Sequence, residues 1–368
     1  MNETTSTLPP WSELLPDPSD AALGILTERL SELDGPADEA GVWPEKLWKS
    51  LMEATVTRWA IPATFGGHGL ERLRLLARYA RVAEGSLTAA FILSQHDAGV
   101  RRLAAAEKPV SKWWLDAIGA GLAFTTVGIS HLTTSRRLGS DALHAEIDGD
   151  RFRLNGLMPW VTAAERADVF VSGAALEDGR QVLFALPADR EGVSLRPAFP
   201  LAALQASCTA EVACENVYLA ESDLLAGPSP NVMAHASAAG TGGIETSALA
   251  LGQARAAIAA LKDESSSRAE LSEPYEALAA SWVVTWKLMC AAAEGRADAP
   301  SSGQVRGEAN ALVLRATQAY LTARKGSGFL RTERAQRWAR QAVLFLVWSC
   351  PSPVANATIR YFAGLCET

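Results

Sequence analysis

Cysteine is scarce and odd in number. Five thiols (Cys208, Cys214, Cys290, Cys350 and Cys366) are scattered over 368 residues without metal-ligand spacing. Free thiols are therefore expected, and neither a disulfide framework nor a zinc cluster. Histidine is as rare: His68, His96, His131, His144 and His235 form no His-x-x-x-His pair, so no metal site is expected. Basic excess is missing too. The formal net charge of −7 argues against a sequence-independent grip on nucleic acid. No long apolar run is uninterrupted, because "ALAASWVVTWKLMCAAAEG", from Ala277, carries Lys287. That stretch predicts a buried bundle helix and no membrane span. The opening "MNETTSTLPPWSELLPDPSD" lacks a basic region followed by an apolar one, so no secretory signal is expected and the cytoplasm is the expected compartment. No Gly-x-Ser-x-Gly elbow surrounds Ser349 and no histidine follows it, which excludes the serine-hydrolase arrangement.

What is present is apolar bulk in three textures. With 48% hydrophobic residues, the chain can bury a large core and form two or three domains. Residues 1–19 are polar and proline-rich and read as a disordered tail. From 20 to 121 apolar residues recur at three and four, as in "DAALGILTERLSELD", with a break at "AIPATFGGHGL"; this predicts an N-terminal helical domain. From 122 to 228 the period is two: "LAFTTVG", "LHAEID", "RFRLNG", "DVFVSGA", "QVLFALP", "VSLRP" and "AEVACENVYL" are strand candidates separated by turns such as "DGD". They predict a central antiparallel β domain. From 229 to 368 the chain is alanine-rich, with helices expected over 245–263, 274–294, 302–324 and 332–348, a C-terminal four-helix bundle. Helices, then strands, then helices make an α+β order, unlike the alternation of a doubly wound sheet.

That order, with four local signatures in sequence, resembles the acyl-CoA dehydrogenase superfamily. "IPATFGGHGL" is similar to the family's turn between N-terminal helices, and "LNGLMPWVTAAERADVFV" to its strand pair beside the flavin. "ALGQARAAIAALKDESSSRAEL" resembles the long helix after the β domain, and "KGSGFLRTERAQRWARQA" the glycine turn and last long helix. The resemblance implies FAD, with FMN as the alternative. It assigns Trp160 to a ring face and Thr162 and Thr126 to the ring edge, roles that suit an indole and two hydroxyls. On residues alone, the three serve equally as fillers of a β core. Arg268 would meet the pyrophosphate, usually from a neighbouring subunit, as planar paired donors allow. Gly326 and Gly328 would let the backbone approach the adenosine end. A homo-oligomer, dimer or tetramer, is implied, with a hetero-oligomer as the alternative.

The chain departs from the family where the chemistry sits. The usual reaction removes a proton α to a thioester and needs a carboxylate base. Ungapped counting puts Ser349 at that glutamate and Trp348 at the preceding tyrosine, with Pro351 and Pro353 where cofactor contacts are common. The alternative base position on the following helix falls on Gly242, one turn before Glu245. Glu245 is thus a candidate base, with a first-turn glutamate favouring the helix dipole as the alternative reading. His131, in "TVGISHL", is a candidate acid or base, or an exposed loop histidine. Three functions follow: a flavin-dependent oxidoreductase acting on an acyl substrate such as a CoA thioester; a flavin-dependent monooxygenase of the same fold; and a non-catalytic subunit of a heteromeric dehydrogenase.

Overall fold

The computed structural model describes residues 7–14, 17, 19–133, 142–235 and 243–365. The helical period of the first third yields helices Asp20–Ala40, Glu45–Glu53, Arg72–Gly85, Leu87–Ala106 and Pro109–Gly119. Among the described residues eight strands follow: β1 (Thr125–Gly128), β2 (His144–Asp148), β3 (Arg151–Val161), β4 (Val169–Ala175), β5 (Gln181–Pro187), β6 (Val193–Leu195), β7 (Ala210–Ala220) and β8 (Leu224–Ser229). They form one sheet in the order β6-β7-β3-β2-β4-β5-β8, with β1 also on β4. Pairing is antiparallel except that β1 and β2 run parallel to β4. Strand β8 was not anticipated, since its Gly227-Pro228 reads locally as a turn.

Period two explains how the sheet is buried. In β4 and β5, Phe170, Ala174, Val182, Phe184 and Leu186 enter one core. Their alternates Val169, Val171, Leu183 and Ala185 enter another, against Val100, Leu103 and Leu115 of the N-terminal helices. Both faces are covered, so these strands are almost wholly apolar. A third core joins the N-terminal helices to the C-terminal ones, with Leu30, Leu51 and Tyr79 meeting Leu251, Trp282 and Leu312. The helical segments on either side of the sheet in sequence therefore share one interior.

The C-terminal helices are Ile244–Ser265, Ser272–Glu294, Ser302–Arg324, Arg334–Ala342, Leu344–Val347 and Ser352–Phe362. Helix Ile244–Ser265 lies close on Arg72–Gly85 because Gly252 has no side chain; a Cβ there would sit 2.1 Å from the Ala80 carbonyl oxygen. The expected helix over 332–348 is instead broken at Val343 and ends at Trp348, and a further helix starts at Ser352 with Pro353 in its first turn. Proline suits that position because the first amides of a helix lack internal partners.

The disordered tail expected over 1–19 needs correction within the described residues. Trp11–Leu14 is a helical turn. Trp11 is buried, edge-on to Trp282 and Trp286 at 5.9 and 5.3 Å. Its indole N–H donates to Glu84 Oε2 at 2.7 Å, while Arg255 donates to the Pro9 carbonyl. One aromatic anchor in a polar, proline-rich segment fixes it to helices far away in sequence. Among the described residues, no helix is long and apolar enough to cross a membrane.

Candidate active site

A cavity of ≈ 360 Å³ opens between the sheet and the C-terminal helices, within the size range of small-molecule sites. Its wall draws on Phe91 and Gln95 from helix Leu87–Ala106, Trp160 from β3, Thr209 before β7, and Arg340, Trp348 and Ser349 from the last third of the chain. Phe91 and Gln95 share a face because they lie four apart on a helix.

Trp160 reaches the cavity through a distortion of β3. The pairing of β3 with β7 slips between Met158 and Val161, and Trp160 takes φ 58°, a left-handed conformation that a bulky residue adopts only under constraint. A bulge of this kind re-aims a side chain. The indole is 42% exposed and packs, tilted by 40°, on Phe199 at 4.7 Å. Behind it runs a chain of hydroxyls. Thr126 Oγ1 donates to the Thr162 carbonyl at 2.8 Å, Thr162 and Thr209 hydroxyls lie 3.3 Å apart, and Thr209 is 2.8 Å from the Ser207 hydroxyl. Thr126 and Thr162 are buried and occupied within the protein; Thr209 is the member of this chain that lines the cavity.

The remaining expected site residues divide into three places. Ser349 lines the cavity in a left-handed conformation, φ 42°. Arg268 and the glycine turn come together at one end of the helical bundle: Arg268 Nη1 donates to the Ala323 carbonyl at 2.8 Å and Nη2 to Glu264 at 3.1 Å. Glu264 also accepts from Arg324 at 2.8 Å. Gly328 fits there because a Cβ would stand 2.5 Å from Arg324 Cβ, whereas the space around Gly326 is open.

His131 and Glu245 do not meet the cavity. The His131 ring is buried; its Nε2–H donates to the Gly173 carbonyl at 2.8 Å, and desolvation holds its pKa below the usual value. Glu245 lines a separate pocket of ≈ 140 Å³ with Arg72 and Arg101, 3.9 Å from Arg101 Nη2. Gly242 lies outside the described residues. Among the described residues lining the main cavity there is no carboxylate, and no group of acidic, histidine or cysteine side chains could hold a metal.

Beside Glu245 lies a buried polar cluster that the sequence did not signal. Tyr79 donates to Asp97 at 2.6 Å and Arg101 to the Tyr79 hydroxyl at 3.0 Å. Desolvation pushes Asp97 up to about 7. A carboxyl raised in the folded state stabilises the fold below its unfolded pKa, and that contribution is lost as pH rises through the folded value. Asp97→Asn is therefore expected to flatten the decline in unfolding free energy between about pH 4 and pH 8, by a few kcal/mol over the window; urea titrations at four pH values measure it.

Sequence reasoning also missed Thr209, Gln95 and Arg340. Arg340 carried the one legible signal, the three-residue spacing of Arg334, Arg337 and Arg340. It donates to the Ala202 carbonyl, Gln336 and Asp38, a cation fixed on three sides at the cavity wall.

No family model matches the chain. It is 22% identical over 348 residues to the probable acyl-CoA dehydrogenase YngJ of Bacillus subtilis, covering 88% of this chain and 90% of that one. Its fold superposes on a glutaryl-CoA dehydrogenase from Mycobacterium smegmatis in complex with FADH2 with TM-score 0.79, at 20% identity over 96% of each chain. It superposes on a nitrososynthase from Micromonospora carbonacea var. africana with TM-score 0.75, at 18% identity over 98% of each chain. The chain therefore has the acyl-CoA dehydrogenase-like fold, and its sequence is distantly similar to that of a probable acyl-CoA dehydrogenase.

Proposed function

We propose that this protein is a flavin-dependent oxidoreductase that holds FAD between its sheet and its C-terminal helices and oxidises an acyl-type substrate there. The observation that carries the reading is Trp160, turned by a strained bulge onto the cavity while half exposed. A flat amphipathic ring matches an indole wall, an apolar lining and a few hydroxyl and amide groups. The relative crystallised with FADH2 shares the fold. Bound flavin would supply a two-electron acceptor. Trp160 would cover one ring face, and the Thr209 hydroxyl, with Thr126 and Thr162 behind it, would face the ring edge. Arg268 and Arg324, which share Glu264, and the open space beside Gly326 would meet the phosphate end.

The chain's own residues limit the reaction. Arg340 and Gln95 can orient a carbonyl by hydrogen bonding, and the apolar wall excludes water. Among the described residues, no lining side chain can take an α-proton at neutral pH, because Ser349 is a poor base and none of them is a carboxylate. That absence favours a second reading, oxygen insertion by a flavin-dependent monooxygenase. The nitrososynthase of similar fold is consistent with it.

The purified protein is expected to be yellow and to release FAD on denaturation. Anaerobic bleaching by one member of an acyl-CoA panel supports substrate dehydrogenation. A spectrum unchanged by the whole panel, with oxygen uptake coupled to product when reduced flavin is supplied, supports the second reading. A colourless protein that cannot be reconstituted with either flavin sinks both.

A further inference from the structure

Two cavity-lining side chains from distant parts of the chain touch each other. The Phe91 ring meets the Trp348 ring edge-on, with centroids 4.6 Å apart at 86°. Phe91 is almost fully buried in the core shared by the helices. The contact joins helix Leu87–Ala106 to the segment after Leu344–Val347 at the cavity wall.

Trp348 is held at its backbone by a neighbouring lining residue and by a group outside the cavity. Its N–H donates to the Leu344 carbonyl at 2.8 Å, and its own carbonyl accepts from Arg306 Nη2 at 2.8 Å. Arg306 Nε donates to Asn310 Oδ1 at 2.9 Å, and Asn310 donates to the Phe345 carbonyl at 2.8 Å. Arg306 and Asn310 are both sealed in the interior, 0% and 2% exposed. Among the described residues Arg306 has no carboxylate partner, and its Nη1 has no hydrogen-bond partner. A charged group buried this way is unfavourable for stability on its own. What it accomplishes is to occupy the free carbonyls of a helix that ends without glycine, where Ser349 takes φ 42°.

We propose that Arg306 and Asn310 are positioning residues that hold Trp348 against Phe91 as a fixed end-stop, so that the cavity accepts a compact ligand and excludes an extended chain. The inference rests on the cavity being the substrate site and narrows the substrate to a short or compact acyl group. A mobile Trp348 would yield to a longer ligand; one pinned at both its amide and its carbonyl does not.

The test uses butan-1-ol and octan-1-ol, titrated calorimetrically into the protein as purified, with whatever flavin it carries. Each further buried methylene tightens binding about fourfold, so four more that find room would give on the order of 200-fold. In the wild type the octyl-to-butyl preference is expected to stay below about tenfold, because the extra methylenes meet the stop. Phe91→Ala should raise it towards about 100-fold, since an apolar void of this kind stays dry and accepts hydrocarbon. Arg306→Met should raise it in the same direction without touching Phe91, and Arg306→Lys should return it part of the way. A purely structural Arg306 would lower the melting temperature and leave the wild-type preference in place. Phe91→Ala carries the test where Arg306→Met does not fold. A steep wild-type preference, a preference unchanged in Phe91→Ala, or no butan-1-ol binding would each overturn the proposal. The alcohols need neither thioester nor electron transfer. A colourless protein with a flat wild-type preference that steepens in Phe91→Ala therefore sinks the flavin reading and keeps the stop; a yellow protein with a steep one does the reverse.

Discussion

Replacing Arg337 with methionine is expected to destabilise the protein by about 3–5 kcal/mol, the usual penalty for leaving one half of a buried ion pair. Arg337 Nε lies 2.8 Å from Asp34 Oδ2, with the side chains 8% and 1% exposed. The other Asp34 oxygen accepts from the Ser86 hydroxyl at 2.6 Å. The pair ties helix Asp20–Ala40 to helix Arg334–Ala342, which carries Arg340 to the cavity, and the neighbouring Arg340–Asp38 pair repeats the link one turn on. Burial, its largest influence, already pushes the Asp34 pKa above the ordinary carboxylate value. Without the guanidinium the carboxyl would take up a proton still more readily. A folded-state pKa raised in this way means stability lost as pH rises through it, so the deficit should be larger at pH 8 than at pH 5. Urea unfolding at the two pH values measures both effects. Arg29→Met is the control: its partner Glu53 is 47% exposed, and such pairs contribute about 0–1 kcal/mol. A loss in Arg337→Met no larger than in the control would show that the pair is not what joins these helices.

How much of this could be read beforehand depended on whether the signal was local. Helix Ser302–Arg324 was legible at its start, where Ser301 and Gln304 form a capping box over three residues, and along its length, where apolar residues recur regularly. Strands β4 and β5 were legible from period two. The break at Val343 was not: "RTERAQRWARQAVLFLVW" contains neither glycine nor proline. The end at Trp348 was hidden too, because Arg306, some forty residues earlier in sequence, takes up the carbonyls of Phe345 and Trp348. The docking of Trp11 was hidden for the same reason, since its partners Trp282 and Trp286 stack 5.3 Å apart on a helix near the other end of the chain. Within the site, Trp160 could be found through the resemblance of its strand pair. Thr209, Arg340 and Phe91 come from a loop and two helices, and no short motif joins them. The cavity is made by tertiary placement, and a linear pattern carries only the strand that bends into it.

Trp160→Gly is expected to weaken flavin binding by on the order of several hundred-fold while leaving the flavin-free protein as stable as before, or slightly more so. The two effects have different origins. With 42% of the residue exposed, a ring laid against it could bury about 100 Å² more, which at about 25 cal/mol per Å² contributes about 2.5 kcal/mol. Stacking adds about 1 kcal/mol. The backbone, by contrast, holds a bulky residue at φ 58°, a conformation that costs of order 1–3 kcal/mol and that glycine adopts freely. Loss of the contact with Phe199 and the greater entropy of unfolded glycine oppose that gain, so the net change should be small. Trp160→Phe should keep much of the flavin affinity, because a smaller ring still offers a face. Flavin titration followed by absorbance, and melting of the flavin-free protein, separate the contributions. A tryptophan that merely filled the sheet would show the opposite pattern: a melting temperature lowered by several degrees and flavin affinity unchanged. Under the proposed function, the left-handed backbone that turns this indole to the edge of the cavity would be held for a ligand, and the paired measurements decide between that role and simple packing.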